Sequence, residues 1–285
     1  MSMDVGSAVP NGAVADLHMH TTCSDGALMP LELVEKAYHA GLHTISITDH
    51  DNFAAIDIAL ERTRELGMEL VPGVEVSTSH EGRDIHVLGY YIDYHHSPLV
   101  DYLAYCRKER LKRADRIVEN LKRESINITV EQILKKAGNG SVGRPHIAAV
   151  LQEQGYVQSF NEAFNRYIGT HCESYEKGIE TAPAEVIRLI NEAGGLSVLA
   201  HPGRFVPDDT VRYLIDEGLD GMEIVHPSHN EERREFYRAI ANEYFLVMTG
   251  GADYHGVKPQ DDENFGKLTV PYSWVQKLKN RLCIA

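Results

Sequence analysis

Short apolar runs alternate with longer amphipathic stretches along the first part of the chain. The runs in AVADLH, HTISIT and MELVPGVE have strand length, while PLELVEKAYHAG and AAIDIALERTRELG between them repeat their apolar positions at helical spacing. Pro30 suits the first turn of one helix, and Gly41 and Gly67 fall where the two helices should stop. A β-α-β-α-β series results. The next link, SHEGR, is too short to carry a crossover helix, so DIHVLGYYID should run antiparallel to the strand before it. Alternation then resumes with GLSVLAHP, DGMEIVHP and YFLVMTGGADYH, each behind a segment of helix length, which brings the α/β chain to seven strands.

Between about residues 98 and 180 the strand patterns disappear, and the segment, including YCRKERLKRADRIVENLKRE and VEQILKKAG, reads as helical throughout. We expect an inserted all-helical subdomain at 98–180, a candidate substrate lid, within a discontinuous domain formed by 14–97 and 181–285. Residues 99–124 hold eight Lys/Arg against five Asp/Glu. That local excess reads as an ordinary solvated helix face.

Composition narrows the function. A chain of 285 residues with 43% hydrophobic content can bury a sizeable core. With 42 acidic against 28 basic residues the formal charge is -14, which argues against gripping long nucleic acid by a broad basic surface. No run approaches 18 uninterrupted apolar residues, and MSMDVGSAVPNGAVA has neither the basic start nor the apolar stretch of a secretory signal. A cytoplasmic location without a membrane partner is expected. Cys23, Cys106, Cys172 and Cys283 are scattered and form no CxxC pair, so neither a disulfide framework nor a thiolate zinc cage is suggested. The 15 histidines deserve more notice.

Ligand-type residues recur at the carboxyl ends of the expected strands: Asp16, His18 and His20; Asp49 and His50; Glu75; His201; Glu223; Asp253 and His255. His86 lies inside the fourth strand. One end of a β/α barrel would gather them all, because there the loops converge while strand tips stay rigid. Alternate residues of a strand point the same way, so His18 and His20 can chelate one ion while Met19 turns into the wall. Imidazole and carboxylate donors suit zinc, manganese and iron, and the lack of clustered thiolates disfavours a purely structural zinc. Singly, each histidine could be a packing residue and Asp49 a helix cap. Crowded together without cations, the set would repel or stay unsatisfied, so the joint arrangement favours divalent metals. Asp16, Asp49 and Glu223 read as carboxylates that orient ligands from behind.

In this order DLHMHTTCSDG, ITDHD, GVEVS, HVLGY, LAHPGR and GADYH resemble the motifs of the PHP family, named for polymerase and histidinol phosphatase. The likeness covers about residues 14–97 and 181–256. GRPHIA in the helical segment resembles the insert of members that act on nucleotide bisphosphates and short RNA. The resemblance implies a distorted seven-stranded (β/α)7 barrel holding three divalent transition metals, with phosphoester hydrolysis as the activity. Carried over by position, it implies His18, His20, Glu75 and Asp253 on a first metal, and Glu75, shared as a bridge, with His86 and His201 on a second. Asp25, His50 and His255 would take the third. No ligand position is missing, unlike the degenerate versions attached to some polymerases.

Adjacent divalent ions acidify a water toward hydroxide, align it with phosphorus and neutralise phosphoryl charge. No protein nucleophile is then required, and Cys23 lacks an activating constellation. Arg144 and His146 in GRPHIA and Arg204 in HPGR are candidate phosphate contacts, and His229 in HPSHN is a candidate general acid or substrate contact. Each has a plainer alternative: Arg144 securing the insert to an acidic surface, His146 capping its own helix, Arg204 pairing with a carboxylate, His229 lying in solvent. The expected function is hydrolysis of a phosphate ester of a small nucleotide, a nucleoside 3′,5′-bisphosphate or the 5′ end of short RNA, by metal-activated hydroxide. Histidinol phosphate phosphatase is the alternative enzyme. A metal-binding regulatory or scaffold domain without turnover is the alternative of another class.

Overall fold

The computed structural model describes residues 9–203 and 206–284. Its first part runs β1 (Val14–Met19), α1 (Pro30–His39), β2 (Thr44–Ile47), α2 (Ile56–Glu65), β3 (Glu69–Leu70), β4 (Gly73–His80) and β5 (Arg83–Tyr90). Helices α3 (Ser97–Arg123), α4 (Val130–Ala137), α5 (Arg144–Glu153) and α6 (Phe160–Ala163) follow, the last continued by a π turn at Phe164–Ile168. The chain then returns through α7 (Pro183–Glu192), β6 (Leu196–Leu199), α8 (Asp208–Asp216), β7 (Gly221–Val225), α9 (Glu231–Glu243) and β8 (Val247–Gly250). It closes with α10 (Pro259–Asn264), β9 (Val270–Pro271) and α11 (Tyr272–Arg281). No helix among the described residues is long and apolar enough to cross a membrane.

The strands form two sheets of a mixed α/β fold, ordered β3-β2-β1-β9 and β4-β5-β6-β7-β8. Two departures from the sequence reading explain why the described strands number nine rather than seven. MELVPGVE is not one strand. Pro72, which has no N–H for a ladder, separates β3 from β4, and the two join different sheets. The ninth, β9, is only two residues long, too short for any periodicity, and pairs antiparallel with β1. The expected hairpin is present: β4 and β5 run antiparallel from Gly73↔Tyr90 to His80↔Arg83. Glu81 and Gly82 turn it with φ of 50° and 75°, the positive pair that matches the twist of the flanking strands.

The sheets meet at two seams, one at the carboxyl ends of strands and the other between the exit of β2 and the start of β4. Glu75 lies at that start, and not at a strand's carboxyl end, because Pro72 has split the expected strand. At one, Met19 bridges Tyr254; at the other, His50 bridges Glu75. Gly251 makes the first seam close: a side chain there would collide with the Asp16 carboxylate and the His18 backbone. Between the sheets, Ala15 and Leu17 of β1 pack with Leu88, Tyr90 and Val198 of the second sheet in one apolar cluster, and the Tyr90 hydroxyl donates to the Leu17 carbonyl at 2.8 Å.

Helix α3 serves two cores. Leu99, Leu103 and Cys106 in its first half join the cluster beneath β4, β5 and α7, whereas Ala114, Ile117, Val118 and Leu121 join a separate cluster with α4 and α5. The helical segment therefore has a core of its own, reached by a helix rooted in the other one.

Candidate metal centre

Strand ends position the ionisable cluster. His18 lies on β1 and His20 just beyond it; His50 follows β2; Glu75 and His86 sit on β4 and β5; His201 follows β6; Asp253 and His255 follow β8. Asp25 enters from the loop after β1. Three of these exits, at Asp51, His201 and Asp253, have positive φ (52°, 26° and 47°), a conformation that non-glycine residues hold only when the surroundings impose it.

Glu75 is the hub. Its Oε2 lies 3.2 Å from His18 Nε2, 3.3 Å from His20 Nε2 and 3.2 Å from His50 Nδ1. Its Oε1 lies 2.8 Å from His86 Nδ1 and 2.7 Å from His201 Nε2. Asp253 Oδ1 stands 3.3 Å from His18 Nε2 and 3.2 Å from His20 Nε2, and Asp25 Oδ1 is 3.3 Å from His255 Nε2. Three groupings are compact enough for cations: His18, His20, Glu75 and Asp253; His50, Glu75 and His86; and His20, Asp25, His50 and His255. Among the described residues, His20 Nε2, Asp25 Oδ1 and His50 Nδ1 are buried without a hydrogen bond. Orphaned polar atoms are costly inside a protein, and bound divalent ions would satisfy all three. The donor set therefore fits metals.

Without metals, protons must do the neutralising. Burial works against charge on Glu75, yet His50, His86 and His18 hold its carboxyl well below the usual range. Asp253 is held well below in the same way by His18 and His255. Burial opposes a charged His18 too, but Glu223, Asp253 and Glu75 raise it well above an ordinary imidazole.

Three carboxylates brace the cluster from behind. Glu223 Oε1 lies 2.9 Å from His18 Nδ1, and its Oε2 accepts the His201 backbone N–H at 2.7 Å, so one side chain orients the His18 imidazole and anchors the backbone of His201. Asp16 accepts from the backbone N–H groups of His18 and Ala252, tying β1 to the end of β8. Burial pushes its carboxyl up to about 7 against those donors. Asp49 accepts from Thr21 N–H at 2.7 Å, from the Thr21 hydroxyl and from the Ser24 hydroxyl, so it shapes the loop that carries Asp25.

A cavity of about 330 Å³ opens over the cluster. Its walls include Asp25, His50, Glu75, His86, His201, Asp253 and His255 together with Arg110, Arg113 and Arg144. Arg144 points to Asp84, with Nη2 3.7 Å from Oδ2, and its guanidinium lies over the rings of Phe164 and Tyr175. The basic helix face is not simply solvated as expected. Arg107, Arg110 and Arg113, spaced by three, turn inward: Arg107 donates to the Asp51 carbonyl, Arg110 to the Asp51 carboxylate and Ser77, and Arg113 to Asp84. That spacing was the available signal, obscured by the lysines and glutamates interleaved with it.

Two candidate substrate contacts are placed elsewhere. His146 Nδ1 accepts the Gly143 N–H at 3.0 Å and closes the first turn of α5. His229 is buried, not in solvent: Gly203 N–H donates to its Nε2, which leaves Nδ1–H to donate to the Ile224 carbonyl. With both nitrogens engaged by backbone, it has none to offer as a general acid. Arg204 lies outside the described residues. The sequence reading passed over His226, in the same HPSHN stretch, although its Nε2 is 3.2 Å from Asp253 Oδ2.

Cations held between imidazoles and carboxylates, in a cavity that guanidinium groups also line, are suited to displacement at phosphorus, and the chain is a metal-dependent phosphoesterase, a hydrolase. It belongs to the PHP family, whose domain model matches residues 16–181. A 5′-3′ exoribonuclease of Haemophilus influenzae is 36% identical over 270 residues, 93% of each chain. A 3′,5′-nucleoside bisphosphate phosphatase of Chromobacterium violaceum is 28% identical over 84% of this chain and 86% of its own. Among solved structures, a Bifidobacterium adolescentis protein described as a metal-dependent phosphoesterase superposes with a TM-score of 0.87 at 33% identity, covering 95% of this chain and 97% of that one.

Proposed function

We propose that the chain removes phosphate from a small nucleotide, a nucleoside 3′,5′-bisphosphate or the 5′ end of short RNA, using three divalent ions of manganese, iron or zinc. The observation that carries this is the single carboxylate of Glu75 standing between five imidazoles, in a pocket that three arginines also line. The first ion would take His18, His20, Glu75 and Asp253, the second Glu75, His86 and His201, and the third Asp25, His50 and His255. The names of the two relatives support the substrate class. In this reading the two sheets are halves of one distorted barrel closed at the Met19–Tyr254 and His50–Glu75 seams, and residues 98–180 are a helical insertion that roofs the pocket.

When bound, the ions supply Lewis acidity and a water of lowered pKa. The chain does the rest. Glu223 and Asp16 hold the His18 side of the cluster in register, and Asp49 holds the loop of Asp25. Arg144 presents a planar fork to the phosphate that does not react, with Asp84 keeping the guanidinium in place until substrate arrives. The helical segment excludes water from the pocket.

Phosphate release by manganese-loaded protein, compared across a nucleoside 3′,5′-bisphosphate, 5′-phosphorylated short RNA, histidinol phosphate and a small aryl phosphate, tests this. The first two should lead by about tenfold or more in kcat/KM, the scale of one well-placed polar contact. A lead for histidinol phosphate would replace the substrate class, and turnover that survives complete chelation would remove the metals from the mechanism.

A further inference from the structure

We propose that His226 is a positioning residue that fixes Asp253 in the metal centre, holding the outer carboxylate oxygen with its Nε2–H. The proposal rests on the reading of Asp253 as a metal ligand.

His226 directly follows β7 and is buried. The backbone N–H of Ser228 donates to its Nδ1 at 3.0 Å. The Ser228 hydroxyl also stands 2.8 Å from Nδ1 and can turn to donate or to accept, but an N–H can only donate, so both contacts are met together when Nδ1 is the unprotonated nitrogen, and in the neutral ring the proton then sits on Nε2. That nitrogen faces Asp253 Oδ2 at 3.2 Å. The two oxygens of Asp253 are thereby divided: Oδ2 is held by His226, and Oδ1 faces His18 and His20. Division matters because Asp253 stands at a positive φ of 47° on a strand exit, and a free carboxylate there could rotate. The ring of His226 cannot swing away, since His201 and His229 flank it at centroid distances of 5.1 and 5.5 Å. His229 is itself pinned by Gly203 and Ile224. A backbone-set tautomer therefore aims one ligand oxygen, an arrangement that usually changes metal affinity by about 10–100-fold when removed.

The test is competition for zinc between a chromophoric chelator and the wild-type protein, His226→Leu, His226→Asn, His226→Gln and Asp253→Asn, with circular dichroism of each after chelation. Leucine and asparagine, which place no donor at the Nε2 position, should weaken zinc retention by about 10–100-fold. Glutamine, whose amide reaches that position, should recover most of it. Equal loss in all three His226 variants would make the residue a filler of space and overturn the proposal. Full retention by leucine and asparagine beside a loss in Asp253→Asn would also overturn it, leaving the ligand reading intact. Full retention by Asp253→Asn would overturn both. Should the leucine variant not fold, the glutamine and asparagine pair decides: retention by the first with loss by the second supports positioning, and equal behaviour overturns it.

Discussion

Two side chains concentrate the chemistry at the residue scale. Glu75→Gln removes one negative charge while keeping the shape, and since both oxygens serve imidazoles, more than one metal position should weaken together. Elemental analysis after manganese reconstitution should show metal content falling by more than one ion per chain, with phosphate release lost; retention of metal and rate would contradict the bridge. Arg144 tests the arginines of the pocket. Arg144→Ala should reduce kcat/KM for a 3′,5′-bisphosphate by about 2–4 kcal/mol of transition-state stabilisation, with a much smaller loss for an aryl phosphate that offers no second charge. Equal losses would place Arg144 at the reacting phosphate or in the fold. The ligand-type residues were legible in the sequence because histidines and carboxylates recur at six expected strand ends, with His86 inside a further strand. His226 and His229 show the limit. Three residues apart in one loop, they differ only in which partners the fold brings, Asp253 for one and two backbone groups for the other.

Among the elements, α3 decides how the helical segment is held. Arg110 donates to the Asp51 carboxylate at 2.6 Å, to Ser77 at 2.7 Å and to the Val142 carbonyl, so it ties α3 to the residue next to His50 and to the loop leading into α5. Both members of the ion pair are shielded from water. Arg110→Ala leaves the Asp51 carboxylate with the Ser77 N–H and hydroxyl but no cation, and breaking the buried pair should cost about 3 kcal/mol, the low end for such pairs, read from the urea midpoint. Metal content should fall as well, through displacement of His50; an unchanged midpoint would mean that the pair is dispensable. The element order was largely readable, including the hairpin turned at Glu81 and Gly82. What was not readable had physical reasons. A single proline moved half of an expected strand into another sheet, and β9 is too short to leave a pattern. The inward arginines of α3 were hidden because charge counts do not say which face of a helix is covered.

For the whole molecule, the concentration of opposite charges makes stability depend on metal and on pH together. His255 is raised to about 10: burial opposes its charge, but Asp25 and Asp253 outweigh that. Against an ordinary value of 6.5, its contribution is complete below pH 6.5 and fades as pH rises toward 10. The depressed carboxyls of Asp25, Glu75 and Asp253 contribute above their ordinary values, 3.8 for the aspartates and 4.5 for the glutamate, and lose that contribution as pH falls through their lowered ones. Chelated protein should therefore show a falling Tm from pH 6.5 to 10, whereas below pH 6.5 His50, which burial holds well below an ordinary imidazole, works in the opposite direction. Loaded protein, whose imidazoles bind as neutral ligands, should lose far less over the same interval. A flat profile after chelation would contradict the ion-pair account. The spread of the cluster along the chain, from His18 to His255, also bears on biosynthesis. A ribosome delivers about 5–20 residues per second. The two leading histidines thus precede Asp253 by at least 233 residues, about 12 to 47 seconds of synthesis during which the chelate is unfinished. Choice among competing metals belongs to the completed protein, and a chain that stalls before β8 leaves the ribosome as a partial chelator without two of its ligands.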